Sequence, residues 1–193
     1  MRYTFKLISA VLCALSLGVA HSQTALSKPA KVSQIPGAVS FHYDAQHDEV
    51  IPAGIQLKPS PAGAEGLFTG TLVVTLNITA VSHFHHGTSY HCSLTAIGGE
   101  IDATSGVVSG GIETASGVAK WNGTNTLSCT LTIPFEWTLI PDSTAIQGAI
   151  LAFGVSAVSP EGGAVQRSTL QVAGIEPLPP SGTTSTFAFD ATL

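Results

Sequence analysis

Charge is scarce in this chain: Asp, Glu, Lys and Arg make up 10% of its 193 residues, where a typical soluble domain carries roughly 25%. That excludes a highly charged coiled coil and a disordered acidic or basic tail. Cations are scarcer still, 7 Lys and Arg against 12 Asp and Glu, so an electrostatic grip on nucleic acid has no basis. One Met, 20 Gly and 11 Pro argue against long helices. No Gly-x-Ser-x-Gly elbow is present, and no phosphate-binding Gly-rich loop opens a helix. Glu100 and Asp102 are the closest approach to paired carboxylates in a strand, too little for a glycosidase. The residues favour a non-catalytic protein, with a hydrolase acting on an extracellular polymer kept as a third reading.

What is present begins with an address. Arg2 and Lys6 precede a mostly apolar run from Leu7 to Ala20, and small residues follow around Ala20 and Ser22. This is the pattern of an export signal over residues 1–22, and the apolar run is shorter than the ~20 residues of a spanning helix. No second run approaches that length, so no membrane span is expected once the signal is removed. Cys13 follows Leu12 rather than a small residue, which does not fit a lipid-attachment site. Residues Gln23 to Ser40, polar with scattered Pro and Lys, read as a flexible leader, and residues 41–193 as one domain. The expected location is the periplasm, the cell surface or the extracellular space.

Cleavage after Ser22 leaves two cysteines, Cys92 and Cys129. In an oxidising compartment such a pair is expected to form a disulfide. Leu72, Val74, Leu76, Ile78 and Ala80 alternate with Thr and Asn, and Leu127, Cys129, Leu131, Ile133, Phe135, Trp137 and Leu139 alternate likewise. Period two with this Thr content is a strand with one buried face. Pro134 places the second strand at an edge or a bulge. Runs at Ile146 to Val158 and Val165 to Val172 are less regular, and Phe187, Phe189, Ala191 and Leu193 close the chain in alternation. Gly87, Gly98-Gly99, Gly110-Gly111, Asn122-Gly123 and Pro177 to Gly182 read as turns. The expected fold is all-β: an antiparallel β-sandwich, immunoglobulin-like or jelly-roll-like, with one internal disulfide between inward-facing cysteines. Trp137 is expected inside the core, while Trp121 is open to a surface role.

Four of the seven histidines, His83, His85, His86 and His91, fall within nine residues. A hairpin reversing at His86-Gly87-Thr88 sets Phe84 opposite Tyr90 and puts His83, His85 and His91 together on the outer face. Diagonal neighbours on such a face lie ~7–8 Å apart, within reach of one ion. Three imidazoles, with His86 as an auxiliary, suit Zn²⁺, Cu²⁺ or Ni²⁺. His42 and His47 sit with Asp44 and Asp48 in a second cluster, which nothing in the sequence places near the first.

Low charge, Ser and Thr on strand exteriors and no catalytic motif point to an exported β-sandwich that acts by binding or assembly. Its partner is an unknown protein, a surface polymer or a second copy of the chain. The alternative is a periplasmic or secreted metal-binding protein using the histidine-rich hairpin. The closing alternation with a cysteine pair resembles subunits of assembled pili over the last nine residues, but the leader lacks the alternating apolar pattern of a donor strand.

Overall fold

A strand that alternates apolar and polar side chains turns one face to the core, and most of this chain obeys that rule. The computed structural model describes residues 39–57, 66–81, 84, 86–101, 107–139 and 146–193; the expected signal peptide and nearly all of the expected leader lie outside them. The strands are β1 (Ser40–Asp44), β2 (Glu49–Ala53), β3 (Gln56–Leu57), β4 (Leu67–Thr79), β5 (Ser89–Ile101), β6 (Val107–Val118), β7 (Lys120–Trp121), β8 (Thr126–Thr138), β9 (Ile146–Val158), β10 (Val165–Glu176) and β11 (Thr183–Thr192). Among the described residues no helix is long and apolar enough to cross a membrane.

The strands form a β1-β2 hairpin, a five-stranded sheet in the order β10-β9-β5-β6-β3 and a four-stranded sheet in the order β11-β4-β8-β7. The ladders are antiparallel except for β11 on β4 and β3 on β6, which are parallel. The expectation of a wholly antiparallel arrangement is therefore corrected at two edges. The cause at β11 lies in its connection. β10 belongs to the five-stranded sheet, and the chain after it enters the other sheet at the Thr69 end of β4, where the Gly182 N–H donates to the Thr69 carbonyl at 2.8 Å.

Leu72, Val74, Leu76 and Ile78 of β4, and the alternating set from Leu127 to Trp137 of β8 with Leu139 just after it, are buried as their periodicity requires. They share one core with Cys92, Leu94 and Ala96 of β5 and Leu151, Phe153 and Val155 of β9. The Cys92–Cys129 disulfide joins β5 to β8 across this core, with Cα atoms 6.7 Å apart. Closing its 37-residue separation constrains the unfolded chain by roughly 4 kcal/mol in the chain-entropy account. Pro134 pairs with Thr71 of β4, and β7 covers β8 only at Leu127 and Ser128. Pro134 is thus an edge residue on its other side, as expected.

Two expectations are overturned. The strands on either side of the histidine-rich segment are not hairpin partners, because β4 pairs with β8 and β11 whereas β5 pairs with β6 and β9. The chain crosses here from one sheet to the other. Two strands with apolar faces satisfy burial equally well by meeting across a core as by lying side by side, and alternation alone does not distinguish the two. The expected neighbours Phe84 and Tyr90 do meet, edge to face at 5.6 Å. The glycine pairs are not turns either: Gly98 pairs with Gly111 and Gly99 with Gly110 inside β5 and β6. Trp137, 2% exposed, lies against Gly98 and Gly111, and a Cβ on either would run into its indole.

The far face of the five-stranded sheet is covered as well. Tyr43 and Val50 of the hairpin pack on Ala152, and Phe41 packs beside Ile97 and Ile150. Thr95, fully buried, donates its hydroxyl to the Val50 carbonyl at 2.6 Å. Burial on both faces explains why β9 reads as irregular in sequence: a doubly covered strand has no polar side to alternate with.

Candidate functional site

The hairpin brings one member of the second histidine–aspartate cluster, Asp48, onto β5. Asp44 Oδ1 accepts from the Gln46 N–H at 3.0 Å, a side-chain-stabilised turn. Asp48 closes that turn with φ of 53°, the one positive φ outside glycine among the described residues. Aspartate tolerates this left-handed conformation better than most residues. Here it leaves the carboxylate over the five-stranded sheet. Tyr43 donates its hydroxyl to Asp48 Oδ1 at 3.3 Å and Ser156 donates to the same atom at 3.4 Å. The other oxygen, Oδ2, lies 2.6 Å from His91 Nδ1.

The opposite nitrogen of that ring, His91 Nε2, lies 3.0 Å from Ser89 Oγ. Ser89 and His91 are two apart on β5, so the pleat puts them on one face. Ser156 is the ladder partner of His91 on β9, which is why it reaches the same carboxylate. The short contact to a carboxylate puts a proton on Nδ1, and in the neutral ring Nε2 then accepts from the Ser89 hydroxyl. Burial pushes the Tyr43 phenol up to about 12, with the Asp48 charge and hydrogen bond adding to it against a lowering hydrogen bond from Ser156. Tyr43 therefore remains a donor to Asp48 across the physiological range. The side chains of His91 and Asp48 keep 28% and 24% of their surface in solvent, so the arrangement is reachable from outside.

Of the four expected metal ligands, His83 and His85 lie outside the described residues. His86 is an exposed turn residue and His91 is engaged as above. Among the described residues no group of three His, Cys, Asp or Glu side chains is set to hold a metal ion. Exposed His47 pairs instead with Asp44, Nδ1 to Oδ2 at 2.6 Å. Glu100 is buried and Asp102 lies outside the described residues. Trp121 is 52% exposed and meets Tyr90 edge to face.

Sequence reasoning missed the roles of Ser89 and Asp48. A Ser-x-His spacing on a strand was the legible half of the signal. The other half, Asp48, comes from a distant turn and depends on the hairpin docking. Away from these residues, an open groove of about 490 Å³ lies around Thr69, Thr71, Glu113, Phe135, Glu136 and Thr183. No known protein family, no curated protein and no solved structure matches this chain.

Proposed function

We propose that this chain is an exported, disulfide-bridged β-sandwich that acts by assembly, through addition of a strand from a second copy of the chain to the edge formed by β11. The observation that carries the reading is the character of that edge. β11 pairs with β4 in unbroken register from Thr183 to Thr192 and, among the described residues, has no strand on its other side. Natural proteins blunt edges of this kind with short strands, bulges or charges. The other edges of the two larger sheets carry such devices: β10 has two register shifts, and β3 and β7 are two residues long. β11 has neither bulge nor cation, and its one charged residue, Asp190, is a hydrogen-bond acceptor for Asn77 Nδ2 at 3.3 Å.

Export fits the N-terminal signal pattern and the disulfide, which persists in oxidising compartments. Sedimentation velocity over a concentration series tests the assembly reading. The expected result is association that grows with concentration and is weakened by Thr186→Lys with Ala188→Lys, two exposed positions on β11. A monomer at every concentration, or association indifferent to the two lysines, overturns it.

A further inference from the structure

Beyond assembly, and independent of it, the geometry points to a catalytic role for the end of β5: we propose that Ser89, His91 and Asp48 form a nucleophilic relay that hydrolyses carboxylic esters with small apolar acyl groups. The hydroxyl–imidazole–carboxylate order, 3.0 Å from Ser89 Oγ to Nε2 and 2.6 Å from Nδ1 to Asp48 Oδ2, is the arrangement that activates a serine on unrelated folds. It is recognised by geometry and role rather than by chain position. The third member is itself held. Tyr43 and Ser156 both donate to Asp48 Oδ1, leaving Oδ2 to orient the ring.

A clamp that merely docks the hairpin would need Asp48, His91, Tyr43 and Ser156. It would not need Ser89, which the rest of the network does not use. Ser89 instead sits on the far side of the imidazole, at the partly open end of the strand. Its ladder partner on β9 is Val158, and the partner of His91 on β6 is Val118. Val118 is 58% exposed. Paired residues share a face of the sheet, so Val158 lies beside Ser89 and Val118 beside His91, giving the acyl group apolar neighbours. Gln166 donates its amide to Thr88, the residue before Ser89, at 2.9 Å, which brings a further donor to the same end.

In the reaction Ser89 Oγ attacks the ester carbonyl carbon while its proton passes to His91 Nε2. Asp48 stabilises the imidazolium through Nδ1–H. The tetrahedral adduct then expels the alcohol, which leaves with the proton from Nε2, and the acyl group remains on Ser89. Water attacks this acyl-serine, giving a proton to Nε2. Release of the acid returns that proton to Ser89, so one ester and one water yield one acid and one alcohol.

The test uses the oxidised full chain, a biotin-linked fluorophosphonate and p-nitrophenyl acetate. Expected results are a single label mapped to Ser89 by peptide mass, and ester hydrolysis abolished in Ser89→Ala. Asp48→Asn should lower hydrolysis by a factor on the order of 10⁴, the loss seen when the orienting carboxylate of such a relay is neutralised. Ser89→Ala removes no atom from the hairpin clamp, so its unfolding midpoint should match the parent, which keeps the test decisive even if Asp48→Asn folds poorly. Absence of label on the folded protein, a label on another serine, or hydrolysis that survives Ser89→Ala overturns the proposal. So does hydrolysis that EDTA removes and Zn²⁺ restores, since that result would assign the imidazole to a metal.

Discussion

His47 and Asp44 show what a single exposed contact contributes. Their 2.6 Å pair closes a three-residue span at the tip of the β1-β2 turn. The hydrogen bond to the His47 ring, above all, holds the Asp44 carboxyl below its ordinary range, and the same bond raises the imidazole of His47. The two shifts act in opposite pH directions. The raised histidine contributes fully below the ordinary imidazole value and loses its contribution as pH rises through its folded value. The lowered aspartate contributes above the ordinary carboxylate value and loses its contribution as pH falls through its folded value. The pair is therefore intact from about pH 4 to about pH 6.5, between the two reference values. Both groups are solvent-exposed, so the consequence is local order of the turn rather than global stability. A ¹H NMR titration should place the His47 midpoint above about 6.5, and Asp44→Asn should return it to that value. An unchanged midpoint in the variant would show that the contact does not form in solution. The neighbouring residue, Asp48, marks the limit of sequence reading at this scale. Its carboxylate and its nearness to His47 are visible, but its left-handed φ and its reach to His91 exist only once the turn has closed over β5.

Between elements, β8 fits closely against β5 and β6. Phe135 and Trp137 stack at 4.3 Å, and the Trp137 indole then lies on the paired glycines Gly98 and Gly111. Omitting two Cβ atoms there lets a large ring approach a sheet backbone closely. Because an added Cβ at Gly98 falls within the indole, Gly98→Ala forces β8 or the ring to move. Overpacking of this kind typically costs about 1–3 kcal/mol. Urea unfolding should therefore show a lower midpoint at an unchanged slope for Gly98→Ala, whereas a midpoint equal to the parent would mean that Trp137 has room to withdraw. The same contact shows why some elements were legible and others not. β8 buries every second residue from Leu127 to Trp137 against a polar outer side, and period two appears directly in its sequence. The glycine pairs looked like turns because glycine carries the same letter whether it frees a backbone angle or vacates space. β5 and β9 are buried on both faces from Cys92 and Ala149 onward, which erases the period. The sequence therefore reveals strands more readily than it reveals which strand lies beside which.

At the scale of the whole described chain, the five-stranded sheet is the layer on which everything else depends. One face shares a disulfide-closed core with β4 and β8, and the other receives the β1-β2 hairpin. That hairpin is a sheet of its own, with no ladder to any other strand among the described residues. Its attachment must come from side chains: Tyr43 packed over Gly154, Val50 against Ala152, the Asp48 contacts and the Thr95 hydroxyl on the Val50 carbonyl. Thr95 is fully buried, so removing its hydroxyl leaves a buried carbonyl without that donor. Thr95→Val keeps the shape and is expected to cost about 1–3 kcal/mol for the orphaned acceptor. Since few other polar contacts hold the hairpin, that cost should fall on its docking before it falls on global unfolding. Hydrogen exchange should then accelerate at the amides of residues 41–53 while those of β4 and β8 stay protected. Uniform acceleration throughout the sheets would show instead that hairpin and core unfold as one unit. Selective opening would also carry Asp48 away from His91, since the carboxylate travels with the turn. The same variant should then slow any reaction at Ser89 without touching a residue of the relay.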